Sequence, residues 1–104
     1  MTITNDNVAS ITIASFHAVW VQAPITQKLS KLFLDGTEIW NIADNNTPTD
    51  IPTESNWNNN NRTISGGLVG NFIVQFQDPL VTGVYQIQIT FDNGCQIGGS
   101  ITVP

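Results

Sequence analysis

Tyr85, Ile87, Ile89 and Phe91 alternate with Gln86, Gln88 and Thr90, so one face of an extended segment is apolar and the other carries uncharged polar groups. This spacing predicts a strand. Asp92, Asn93 and Gly94 follow it and predict a hairpin turn, because Asn and Gly accept the positive φ that tight turns demand. The chain resumes with Cys95 and Ile97 and ends with Ile101 and Val103 alternating against Ser100 and Thr102. The intervening pair Gly98 and Gly99 predicts a bulge that splits this last strand.

Similar patterns recur upstream. Phe72, Val74 and Phe76 alternate with Asn71, Ile73, Gln75 and Gln77 and stop at Asp78 and Pro79, which predicts another core strand. Leu32 and Leu34 run into Asp35 and Gly36, and Ile39 and Trp40 follow; the Asp-Gly pair is a strong hairpin signal. Near the beginning Ile11 and Ile13 give one alternating run and Phe16, Ala18 and Trp20 another, with the parity broken between Ala14 and Phe16. A bulge, a sheet corner or a short loop would each produce that shift, and Pro24 closes the segment.

Between Ala43 and Asn61 the pattern lapses: two prolines, several Thr and most of the Asn surround Ile51 and Trp57. The stretch reads as a long extended connection, and long connections in compact domains tend to carry function. The plainer reading is a linker pinned to the core by Ile51 and Trp57. No segment offers helical periodicity or a crossover helix, and no internal repeat is present. About seven antiparallel strands at intervals near ten residues predict an all-β sandwich, with a partly closed Greek-key barrel as the alternative.

The totals narrow the setting. With 104 residues the chain fits one domain, residues 1–104, whose core needs neither disulfide nor metal. Eight acidic residues against Lys28, Lys31 and Arg62 leave a formal net charge of −5. Nucleic acid is excluded as a partner, since three scattered cations cannot replace the counterions of a phosphate backbone, and an anionic membrane surface is disfavoured for the same reason. Charged residues make up only 11% of the chain, so its polarity is that of Asn, Gln, Thr and Ser, a composition common in extracellular β-domains. No apolar run approaches the ~20 residues that span a bilayer, so the domain is expected not to insert in a membrane. Met1 is not followed by a secretory pattern, so any export signal or anchor is expected outside this stretch. Cys95 is alone and cannot form an intrachain disulfide.

Candidate chemistry is sparse. Trp20 and Trp40 sit in apolar runs and read as core; Trp57 sits in the polar connection. An exposed Trp57 beside Asn56, Asn58, Asn59 and Asn60 would form an aromatic platform rimmed by amides, suited to a neutral glycan, whereas a buried one would anchor the loop. Arg62 belongs to this candidate binding site, with a structural alternative in which it crosses the loop to Asp50 or Glu54. Asp44, Asp50 and Glu54 form a weak calcium candidate, for which a solvated acidic loop is the favoured reading; no other cofactor is indicated. His17 is the one histidine, and without a nucleophile-turn motif it reads as a strand-surface residue rather than part of a Ser-His-Asp arrangement. Cys95 reads as a small core residue or an orphaned disulfide half. No catalytic residues are assigned, and the chain is expected not to be an enzyme.

Trp20 after an early strand, the run Leu34, Asp35, Gly36 to Ile39 and Trp40, Trp57 followed by Arg62, Thr63, Ile64 and Gly67, and finally Tyr85 and Phe91 to Cys95 form one pattern. On these residues the chain from Asn5 to Val103 resembles immunoglobulin-like domains of bacterial pilin-like and other surface proteins, and of repeats in large exported chains. The resemblance implies an immunoglobulin-like sandwich at the cell surface or secreted, partnered by protein surfaces or neighbouring domains, with a structural or adhesive role and no catalysis. Relatives often carry a second cysteine near the start, where this chain has Thr2, Ile3, Thr4 and Asn5, so that disulfide is lost or its partner lies elsewhere. A shorter similarity, Trp57 and Asn58 before a glycine-containing strand, is to cellulose-binding-type modules and supports the glycan alternative.

Overall fold

The computed structural model describes residues 1–24 and 26–104. Nine strands and no helix are present among them: β1 (Thr2–Thr4), β2 (Ile11–Val19), β3 (Leu29–Leu34), β4 (Thr37–Trp40), β5 (Thr49–Ile51), β6 (Thr63–Ile64), β7 (Val69–Phe76), β8 (Gly83–Phe91) and β9 (Gln96–Val103). They form two antiparallel sheets. One has the order β1-β7-β3-β4 and the other β5-β2-β8-β9, with β6 also on β2. The expected all-β sandwich is therefore present, and the two sheets do not close into the alternative barrel.

Two more strands exist than the pattern predicted. β1, β5 and β6 are two or three residues long, too short for alternation to show. β5 lies inside the stretch read as one long connection. Its Thr49 and Ile51 are buried while Asp50 points out, the period-two alternation of a strand compressed into three residues.

The parity break in β2 is a bulge: Ile13 pairs with Phe91 and Ser15 with Thr90, leaving Ala14 as the extra residue. The insertion lets Ile11, Ile13, Phe16 and Ala18 all face the core, whereas an unbroken strand would turn half of them to solvent. The bulge expected at Gly98 and Gly99 is absent. β9 pairs residue for residue with β8 from Gly83–Val103 to Thr90–Gln96, so these glycines only thin the sheet. Asp35 and Gly36 close the β3–β4 hairpin with φ of 51° and 80°, the positive values the Asp-Gly signal predicts.

Between the sheets, Phe16 meets Phe72, and Phe76 meets both Trp20 and Tyr85, each at a centroid distance of 5.8 Å. Such tilted and edge-on aromatic pairs tie β2 and β8 to β7 across the gap. Trp20 and Trp40 are core residues, as their apolar runs predict. Of the four apolar residues that define β8, Tyr85, Ile89 and Phe91 are buried, whereas Ile87 is only half-buried. No helix is long and apolar enough to cross a membrane among the described residues.

Candidate functional site

The β2 bulge organises the segment that carries Trp57 and Arg62. A bulged residue leaves carbonyls off the regular ladder, where side chains can reach them. The Arg62 Nε donates to the Ile13 carbonyl at 3.1 Å, and the Trp57 Nε1 donates to the Ala14 carbonyl at 3.4 Å. The two side chains consequently stack, with the guanidinium carbon 5.0 Å from the indole centroid. The main chain of Arg62 adds two bonds, accepting from Ile13 N and donating to the Asn60 carbonyl, both at 2.9 Å. Partial burial draws the Arg62 guanidinium below its ordinary value by desolvation.

Trp57 is half-buried and packs on the core cluster, while Arg62 lies over its ring. The asparagines nearby are largely engaged within the loop. Asn58 donates from its backbone to the Ile39 carbonyl at 3.0 Å and from Nδ2 to Glu38 Oε1 at 3.1 Å, pinning the loop to β4. The Asn59 carbonyl accepts from Arg62 Nη1 at 2.9 Å and its Oδ1 from Asn61 N at 2.8 Å. The structure thus brings Trp57, Asn59 and Arg62 together and turns Asn58 toward β4. Asn56 stands exposed and makes no side-chain hydrogen bond among the described residues.

Arg62 does not cross to Asp50 or Glu54. Asp50 Oδ1 instead lies 2.5 Å from His17 Nδ1 on the outer face of the second sheet, because β5 pairs with β2 and sets His17 directly opposite Asp50. Ser15, Gln88 and Thr90 border this pair in a shallow pocket of about 260 Å³. Ser15 shares the face, yet no hydrogen bond joins it to His17 among the described residues, and the pair lacks an activated nucleophile. Asp44 faces inward and is nearly buried, accepting from Asn46 N at 2.8 Å and from Thr49 Oγ1 at 2.7 Å, an internal turn closure. Glu54 Oε2 lies 3.5 Å from the same hydroxyl. Asp44 and Glu54 therefore converge on Thr49 while Asp50 points away, and no three acidic, histidine or cysteine side chains gather as metal ligands among the described residues.

Compared with family models, curated proteins and solved structures, the chain matches none. Its reading rests on its own residues. Cys95 is exposed rather than a core residue: it follows the β8–β9 turn, where its backbone N–H bonds the Asn93 Oδ1 at 3.0 Å. One feature that alternation could not reveal is the bond pair between Tyr85 and Val81, whose only trace in the sequence is a Tyr two residues after Gly83 at the start of a strand.

Proposed function

We propose that this chain is a noncatalytic structural or adhesive module of immunoglobulin-like type, displayed on a bacterial surface or secreted protein. The observation that carries the reading is Tyr85. Third in β8, it donates its hydroxyl to the Val81 carbonyl at 2.7 Å and accepts from Val81 N at 3.0 Å. A Tyr near the start of strand F, bonded to backbone a few residues upstream, is the tyrosine corner of immunoglobulin-like sandwiches.

The strand order supports the same assignment. β1 lies beside β7 and β2 beside β8, the relation of strands B to E and C to F; β3 occupies the place of D beside E, and β9 that of G beside F. Trp20, buried directly after β2, stands where such domains carry a tryptophan on strand C. The departures are that β3 and β4 precede β5 in the chain and that Ile87, two residues after Tyr85, stands where a disulfide cysteine would be. A neutral-polar outer face of Gln86, Gln88, Thr90 and Ser100 suits presentation on a surface rather than chemistry.

The reading is tested with antibodies to the domain applied to intact, unpermeabilised cells of its source. Labelling without lysis is the expected result, and labelling only after lysis overturns it. A glycan array with Trp57→Ala as control separates the carbohydrate-binding reading, which requires sugar binding that the variant loses.

A further inference from the structure

Phe16 and Ala18 of β2 and Thr49 and Ile51 of β5 are buried, so His17 and Asp50 between them are held on the outer face of the second sheet, directly opposite one another. The register carries this row across the sheet: Asp50 on β5, His17 on β2, Gln88 on β8 and Gly98 on β9. The first three line one hollow of about 260 Å³ together with Ser15 and Thr90. At Gly98 the row lacks a side chain. A Cβ there would lie 2.8 Å from the Ile87 carbonyl oxygen, so the close approach of β9 to β8 keeps the position bare. A second hollow of about 390 Å³ opens over it, shares His17 and Gln88 with the first, and is bordered by Gln86 and Ser100.

The hydrogen bonds already made decide which groups are left over. Asp50 Oδ1 accepts from His17 Nδ1 at 2.5 Å, and a carboxylate, being an acceptor only, fixes the ring with its proton on Nδ1. In the neutral ring Nε2 is then an acceptor. Gln88 Nε2 donates to Gln96 Oε1 at 3.1 Å, and Gln96 Nε2 donates to Thr90 Oγ1 at 3.3 Å, which leaves Gln88 Oε1 to accept. Asp50 Oδ2 and Gln88 Oε1 have no partner among the described residues, and no lysine or arginine lines either hollow. Lys31 is paired with Glu38, and Arg62 lies over Trp57. One carboxylate and two further acceptors thus stand side by side, in a domain of net charge −5, with no cation to meet them among the described residues.

We propose that this hollow binds the guanidinium of an arginine presented by a partner polypeptide, whose main chain continues over the bare strip at Gly98. A guanidinium carries a positive charge, five donors and no acceptor, the complement of Asp50 Oδ2, His17 Nε2 and Gln88 Oε1. A lysine ammonium meets the charge as a point and spans fewer of the three acceptors, and a neutral glycan gains nothing from the charge. Gln86 and Ser100 make no side-chain hydrogen bond among the described residues, so both are available to the peptide groups on either side of the arginine. The acidic balance of the whole domain draws a basic partner in. The site shares no residue with the Trp57–Arg62 stack and does not depend on the surface reading above.

The test follows the His17 ring and Gln88 side-chain signals by NMR as a blocked Gly-Ser-Arg-Ser-Gly peptide is added in low salt at about pH 8, where histidine is ordinarily neutral. Both signals are expected to shift saturably with a Kd of about 1 mM, and about 0.5 M salt is expected to weaken binding at least threefold. The same peptide with Lys in place of Arg is expected to bind at least threefold more weakly. Asp50→Asn is expected to raise the Kd at least tenfold and Gln88→Leu at least threefold. Asp6→Asn, which removes an equal charge from an exposed position outside the hollow, is expected to change it less than twofold. Thermal melts confirm that each variant is folded. The proposal is overturned if the Arg peptide shows no saturation up to about 20 mM. It is equally overturned by an Asp50→Asn domain that binds unchanged, or by equal losses from Asp50→Asn and Asp6→Asn, which would reduce the effect to net charge. Tighter binding of cellotriose than of the Arg peptide at the same signals would also overturn it, giving the hollow to a neutral glycan.

Discussion

The Tyr85 hydroxyl both gives and takes a hydrogen bond from one residue, Val81, at 2.7 and 3.0 Å, and so closes the link between the two sheets where the chain passes from β7 to β8. Tyr85 is 3% exposed and Val81 half-buried, so water replaces the two bonds only poorly once the hydroxyl is gone. Tyr85→Phe keeps the ring against Phe76 and strands two backbone groups. It is expected to lower unfolding free energy by about 1–3 kcal/mol in urea titration with an unchanged m-value. A loss near zero would show that the link is held by packing alone.

Trp20 and Trp40 offer an internal comparison of two buried indoles. The Trp20 Nε1 donates to the Gln27 carbonyl at 3.1 Å, whereas the Trp40 Nε1 has no partner among the described residues. Replacing either with Phe removes similar volume, but only Trp20→Phe also orphans a carbonyl. Trp20→Phe is therefore expected to destabilise more than Trp40→Phe by about 1 kcal/mol, read from paired urea curves. The reverse order would mean that volume, not hydrogen bonding, governs both sites.

Those two tryptophans were legible as core because they sit in alternating runs, as were β7, β8 and the β3–β4 hairpin, where period two and the Asp35-Gly36 turn agree. β5 was not legible, since a strand of three residues shows no period and its existence depends on Phe16, His17 and Ala18 of β2 being opposite it. The same register makes the His17–Asp50 pair, 33 residues apart in sequence and invisible to any local pattern. Trp57 and Arg62, five residues apart in the chain, lie one over the other. Their stacking required the bulge at Ala14, which the parity break hinted at without saying which carbonyls it would free. Gly98 and Gly99 misled because glycine marks a bulge only where the register shifts, and β8–β9 pairing is regular through both.

Gly66 and Gly99 separate two uses of glycine. A Cβ at Gly66 would lie 2.1 Å from the Val8 carbonyl oxygen and 2.9 Å from that of Asn7, both main-chain atoms that cannot rotate away. One at Gly99 would meet nothing within 4 Å. Gly66→Ala is expected to cost more than 2 kcal/mol by forcing the 5–8 and 65–68 segments apart, and Gly99→Ala to lie within about 0.5 kcal/mol of the parent. Thermal melts of the two variants check this, and equal melting temperatures would refute the close approach at Gly66.

The His17–Asp50 contact is short, but its side chains are 39% and 52% exposed, so solvent screens most of its attraction. His17→Ala and Asp50→Asn are each expected to change stability by less than about 1 kcal/mol at low salt and by less still at high salt. Chemical denaturation in both conditions provides the measurement. A larger loss that persists in salt would make the pair a structural clamp on β5.

Arg62 holds the loop through three contacts at once: its Nε to Ile13, its Nη1 to Asn59, and its planar face over Trp57. A lysine has the charge but neither the second donor in a fixed fork nor a flat face, so Arg62→Lys cannot restore all three. The variant is expected to lose about 1 kcal/mol or more, and the loss should be smaller when Trp57 is already Ala, because the stack is then gone and only the bonds to Ile13 and Asn59 remain to be lost. Its fluorescence should shift to the red as the Trp57 ring gains water, a change that Lys31→Arg, distant from the ring, should not produce. If Arg62→Lys were neutral in both the parent and the Trp57→Ala background, the stack would be incidental, and the loop would owe its place to Asn58 and the main-chain bonds to Ile13.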